Sequence, residues 1–164
     1  MEVLVAVSVL AVLTALSLTW MNVAISKQHE ALGAARWDRA ASAVLDQIAR
    51  DVLQIDVLND RGTGEPRVWI ADNSLCIRSS NQEAVRVIRY KHEADQHRLV
   101  RHSSESHAPP DRDPPMLGSV SEAQFTLTVL GVHLKIPELR VSLRSAGGRL
   151  MERTFLLDPG DTAS

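Results

Sequence analysis

The chain has 164 residues, 45% of them apolar and 23% charged, with 18 Lys and Arg against 20 Asp and Glu for a formal charge of -2. Near-neutral charge with scattered basic residues excludes the electrostatic footprint of a nucleic-acid binder, and 4% aromatics leave few rings for stacking on single strands. Cys76 is the single cysteine, so no intramolecular disulfide is open to the chain. Between Leu75 and Ile77 it reads as a small buried side chain.

The first 25 residues, MEVLVAVSVLAVLTALSLTWMNVAI, form an apolar run broken by one charge, Glu2. About 20 apolar residues suffice to cross a hydrocarbon core roughly 30 Å thick, so the run predicts a membrane-spanning helix. A cleaved signal would show a basic start, a shorter apolar stretch and a small-x-small cleavage site. Here no basic residue precedes Lys27, and residues 18–21 offer no such site. A carboxylate at the edge of a span is costly and marks a functional residue by default; the plainer alternative is an uncleaved anchor with Glu2 resting among the headgroups. Lys27, Arg36 and Arg39 are offset by Glu30 and Asp38, so charge alone does not orient the span.

Beyond Ile25 the helical pattern continues with a changed character. Leu32, Ala35, Ala41, Val44, Leu45, Ile48, Val52 and Ile55 recur at spacings of three and four, the signature of one apolar face. Arg36, Arg39, Asp46, Gln47, Arg50, Asp51 and Gln54 fall opposite and are expected to meet water or other subunits. No proline interrupts residues 2–56, which predicts a single helix about 80 Å long. Gly33 is either its weak point, at a cost of up to about 1 kcal/mol relative to Ala, or a small residue at a helix contact.

Turn residues gather at 59–66, and the period then switches to two. Residues 67–71 and 74–78 predict a hairpin across Asp72-Asn73. Residues 84–91 and 96–101 predict a second, turning at 93–95. Residues 124–129 and 139–144 alternate as strands, and Gly147-Gly148 turns the chain into 150–157. An antiparallel sheet of this kind has one apolar and one wet face, and the stripe at 35–55 is its expected cover. The fold class is therefore α+β, a long N-terminal helix packed on an antiparallel β-sheet. Residues 1–26 form the span, 27–58 its amphipathic continuation, 59–158 the β-domain and 159–164 a tail.

Two features invite a chemical reading. His92, His97, His102 and His107 recur every five residues, and imidazole is a ligand for zinc, copper or nickel. A spacing of five places successive side chains on opposite strand faces, so surface histidines are expected and no metal or other cofactor is assigned. His92 and His97, which a hairpin would bring close, are the residual metal candidates. Residues 103–115 form a polar, proline-dense insert, read as a solvated connector or a recognition loop presenting His107, Asp111 and Arg112. Ser106, His107 and Asp111 include the residue types of a triad without its geometry. No phosphate-cradling Gly loop, HExxH or CxxC pair occurs, and the reading is non-enzymatic.

Glu2-Val3-Leu4-Val5-Ala6-Val7, followed by a long Leu/Val/Ala helix, resembles the N-terminus of type IV pilin-like proteins: pilins, minor pilins and the pseudopilins of type II secretion. The order of one long helix before antiparallel strands resembles the same architecture. Residues 44–54, followed by the strands 87–90 and 97–101, are similar to J-type minor pseudopilins and W-type minor pilins. The resemblance implies a minor pilin or pseudopilin of a type II secretion pseudopilus or type IV pilus. In it Val3, Leu4, Val5, Val7, Leu10 and Leu13 would pack in the filament core, and Glu2 would set register by pairing with an N-terminal amine. It further implies a bacterial inner-membrane protein with a periplasmic C-terminal domain. Its implied partners are other pilin-like subunits, the inner-membrane assembly platform and a prepilin peptidase. The family's basic leader, Gly and Phe-Thr-Leu do not stand before Glu2, so a translation start upstream of Met1 is expected; a true start at Met1 would leave no peptidase site. The alternative function is a single-pass anchored periplasmic binding domain that does not polymerise.

Overall fold

The computed structural model describes residues 2–53, 67–81, 84–105, 116–130 and 136–157. Among these residues one α-helix, α1 (Glu2–Leu53), is followed by eight strands: β1 (Val68–Ala71), β2 (Ser74–Asn81), β3 (Ala84–Glu93), β4 (Arg98–Glu105), β5 (Leu117–Gly118), β6 (Val120–Leu130), β7 (Ile136–Ser145) and β8 (Leu150–Leu156). By its contacts the chain forms two units, residues 1–39 and 40–164. The helix passes through Gly33 without interruption, and a Cβ built there would touch nothing within 4 Å. The expected helix residues 54–56 and the turn at 59–66 lie outside the described residues.

Local turn chemistry accounts for the strand order. Asp72 (φ 49°) and Asn73 (φ 55°) both adopt the left-handed conformation, which a two-residue hairpin needs if its twist is to match the strands and which short Asx side chains tolerate. Trp69 consequently stands opposite Cys76, and Val68 opposite Ile77. A short 3-10 turn, Ala94–Gln96, joins β3 to β4 and is closed by His97 at φ 47°. Gly148 (φ 80°) serves the turn into β8. Every pairing is antiparallel between sequence neighbours.

The strands do not form one sheet as the alternation suggested; they divide into a five-stranded sheet, β1-β2-β3-β4-β5, and a three-stranded sheet, β6-β7-β8. The break falls at Ser119, a non-glycine residue at φ 56°. Leu117 and Gly118 pair with Leu99 and Arg98, and the chain then bends away to pair Val120 with Ser145, with an irregularity before Glu122. The seam is closed by backbone bonds from Val120 N–H to the His97 carbonyl (2.8 Å) and from Ala146 N–H to the Ser119 carbonyl (2.9 Å). A second departure concerns the polar insert, since Ser103 belongs to β4, pairs with Ile88 and accepts a hydrogen bond from Arg86 Nε.

Residues 41–52 of α1 supply the cover. Ala41, Val44, Leu45, Ile48 and Val52 are buried together with Leu75, Ile77, Ile88, Tyr90 and Leu99 of the larger sheet and Phe125, Leu139, Val141 and Leu143 of the smaller one. Cys76 is fully buried, as its apolar flanks suggested. The helix is tied to both sheets by polar contacts, through Asp51 to β3 and β4 and through Asp46 to Arg153 on β8. Replacing Leu45, which is 1% exposed, by Ala is expected to destabilise the β-domain by about 2–5 kcal/mol. Denaturant unfolding of the detergent-solubilised protein measures this, and a loss under half a kcal/mol would contradict the packing.

Candidate functional site

The membrane-length half of α1 is apolar on every side. Val3, Leu4, Val5, Val7, Leu10 and Leu13 are each more than half exposed, as are Leu16, Leu18, Trp20 and Met21. A helix that is apolar all round belongs in lipid or inside a helical assembly, because water solvates such a surface poorly. Its hydroxyls fit such surroundings. Ser8, Thr14, Ser17 and Thr19 each donate to the carbonyl four residues earlier, at 2.8–2.9 Å, so none is left seeking a partner in hydrocarbon. By length and composition α1 is the one described helix able to cross a membrane. Glu2 is its first residue, with its side chain outside the described part.

The other singled-out residues fall at different places. His92, half-buried on β3, donates through Nε2 to the Val120 carbonyl (3.0 Å). His97 is exposed, and its own carbonyl receives the Val120 N–H. The two histidines thus hold the same residue of β6, one by its ring and one by its backbone, and serve the seam between the sheets. Among the described residues no group of three or more His, Cys, Asp or Glu is disposed to hold a metal ion. His107, Asp111 and Arg112 lie outside the described residues.

A buried polar cluster at the end of α1 escaped the helical-face reading, which had placed Asp51 toward water. Asp51 is 2% exposed. Its carboxylate accepts from Tyr90 Oη on β3, from Arg101 Nε on β4 (2.9 Å) and from Gln47 Nε2 one turn earlier (2.9 Å). Gln47 in turn accepts from Arg50 Nη2 (2.7 Å). Tyr90 and Arg101 stand directly opposite each other across β3 and β4, which is why one carboxylate reaches both. The signal was present: Asp51 lies three residues after Ile48 and seven after Val44, on the apolar stripe rather than behind it.

Burial pushes the Tyr90 phenol far above its ordinary value of 10, with the hydrogen bond and charge of Asp51 acting in the same direction and Arg101 opposing. For Arg101, burial pulls the guanidinium down, yet the hydrogen bond and charge of Asp51 outweigh it and hold the group above its ordinary value. With its lone pairs engaged by a phenol, a guanidinium and an amide, this carboxylate is equipped to hold the helix at one place on the sheet. A buried ion pair contributes to where two elements meet more reliably than to how tightly they bind.

Compared with protein-family models, with curated proteins and with solved structures, the chain matches none.

Asp51→Ala leaves Arg101 and Tyr90 facing an empty, poorly solvated site and should cost about 3–5 kcal/mol in denaturant unfolding; a change of a few tenths would mean that the cluster is dispensable. Tyr90 is the single tyrosine of the chain, so the near-ultraviolet phenolate band reports on it alone. Because the folded value is raised, its contribution to stability is full below pH 10 and is lost as the pH climbs further and the unfolded phenol ionises first. The band should rise only with loss of the folded circular-dichroism signal. A phenolate titrating near its ordinary value in the folded protein would contradict the clamp.

Proposed function

We propose that this chain is a pilin-like subunit, a minor pilin or pseudopilin that assembles through α1 into a type II secretion pseudopilus or a type IV pilus. The observation that carries the reading is the character of the helix along its length. Residues 3–25 are apolar on every side and exposed, while the same helix ends in a stripe that covers an antiparallel β-domain. A membrane anchor needs the first property alone. A subunit that exchanges lipid for a core of neighbouring helices needs both, since its apolar surface then meets other helices while the folded domain travels with it.

Glu2 supplies the specificity in this reading. When the apolar helices bundle away from lipid, a carboxylate at their start is tolerable only beside a cation or donors, and the N-terminal amine of the same or a neighbouring subunit is the cation at hand. A buried polar pair chosen for register rather than for stability is the best-attested use of such groups. The inner membrane houses the subunit before assembly, with the β-domain on the periplasmic side. A prepilin peptidase, the assembly platform and other pilin-like subunits act on it in turn, and the role is mechanical rather than catalytic.

Glu2→Val tests the reading. Membrane insertion and the folded β-domain should persist, while recovery of the protein in purified filaments should drop by about tenfold or more, in keeping with the several kcal/mol that loss of a buried partner costs. Unchanged recovery would remove the register role. A wild-type protein found solely in the membrane, with no filament fraction, would leave an anchored domain instead.

A further inference from the structure

Strand β8 is the outermost strand of the three-stranded sheet. The Leu157 N–H donates to the Pro137 carbonyl (2.9 Å) and the Ser145 N–H to the Arg149 carbonyl (2.8 Å), so in the β7–β8 register the odd-numbered residues of β8 turn their backbone toward β7. By the alternation of an antiparallel ladder, Leu150, Glu152, Thr154 and Leu156 turn theirs outward. Four N–H and four C=O groups therefore line an edge to which no other described strand is paired. Sheet edges are commonly guarded by a proline, a bulge or charged side chains, lysine above all; of the two charges on β8, Glu152 is paired with Arg140 (3.3 Å). The run LMERTFL has no proline or lysine and keeps one regular register along β7, and its Arg153 is engaged by Asp46.

The side chains on this edge form a pattern. Leu150 and Leu156 are 56% and 68% exposed at the two ends of one face, with Glu152 and Thr154 between them. Beside them the same face of the sheet holds a polar trough of about 390 Å3, lined by Gln124, Thr126, Glu138, Arg140, Ser142 and Glu152 among others. Glu138 and Glu152 share the single Arg140 guanidinium, at 3.1 and 3.3 Å. Two carboxylates and one cation leave the edge of the trough negative at Glu152.

We propose that the edge of β8 receives an extended strand from a neighbouring filament subunit of different sequence, an inference that rests on the pilin-like reading above. A second backbone in strand conformation matches alternating donors and acceptors at this spacing, which is the basis of recognition by strand addition. The incoming strand carries apolar side chains opposite Leu150 and Leu156 and a basic side chain opposite Glu152, the cross-strand partners that each position favours. The small sheet of the subunit is thereby completed by its neighbour, so β8 gives the filament a lateral contact in addition to the one made by the helices.

The full chain in its native membrane provides the test. Thr154→Pro removes one outward N–H and places a ring across the edge, while the ladder to β7 is untouched; proline is tolerated on edge strands at such positions. Recovery in filaments should fall by about tenfold or more, and Thr154→Val, which keeps the N–H, should stay within about twofold of wild type. In hydrogen exchange on the wild type, the amides of Glu152 and Thr154 should exchange rapidly in the detergent-solubilised subunit and slowly in filaments. The Arg153 amide, bonded to β7, should be slow in both and so monitors folding of the variants. Equal recovery of Thr154→Pro, or exchange of the two amides that stays rapid in filaments, would overturn the strand contact while leaving the effect of Glu2→Val intact. Absence of the wild-type protein from the filament fraction overturns the pilin-like reading, and the strand contact with it. A concentration-dependent dimer of the solubilised wild type that protects the same amides would assign the edge to a second copy and overturn the proposal equally.

Discussion

The β-domain depends on cover that comes from outside its own strands. The apolar faces of both sheets, with Leu75, Ile77 and Leu99 on one and Phe125, Leu139 and Leu143 on the other, are buried together with Ala41, Val44, Leu45, Ile48 and Val52 of α1. Removing that stretch of helix would return these apolar faces to water, at a cost of roughly 25 cal/mol for each Å2 of apolar area exposed. The helix is thus the partner against which each sheet folds. This ties the fate of the β-domain to the segment that emerges from the apolar half.

Polar contacts decide where on the sheets this cover lies. Apolar packing alone is weakly directional, and a helix on a smooth sheet has several nearly equivalent positions. Asp51 removes that freedom by reaching Tyr90 and Arg101 at once, and Asp46 adds a tie to Arg153 on the far strand. The seam between the sheets uses the same means: the His92 ring and the His97 backbone both meet Val120, and Ser121 Oγ donates to the Ser145 carbonyl (2.9 Å). Both arrangements convert hydrophobic contact into a defined geometry.

The two ends of the chain show complementary kinds of incompleteness. The first half of α1 presents apolar side chains that water does not solvate well, with its hydroxyls satisfied internally. The last described strand presents backbone groups and two exposed leucines along an edge to which no other described strand is paired. Lipid or packed helices meet the first need, and another backbone meets the second. In the filament proposed above, both needs would be met together.

The amino-acid sequence by itself determined the elements that rest on local physics. The membrane-length run follows from 24 consecutive residues, 3–26, without a charge. The hairpin at Asp72-Asn73 follows from residue types that accept the left-handed conformation, and the alternation of β6, β7 and β8 from a period of two. The covering face of α1 was legible from spacing between Ala41 and Val52, but its expected start was not, since Leu32 is 49% exposed, nor was Asp51, whose charge argued for water until its partners were known. Those partners lie 39 and 50 residues away, and no local pattern reports a contact at that separation. The division into two sheets was equally hidden, because it turns on the backbone conformation of Ser119 and on the hydrogen bonds that support it. Turn chemistry and periodicity act over a few residues and can be read along the chain; the burial of a charge and the parting of two sheets depend on groups brought together only by the completed fold, so only the tertiary structure decided them.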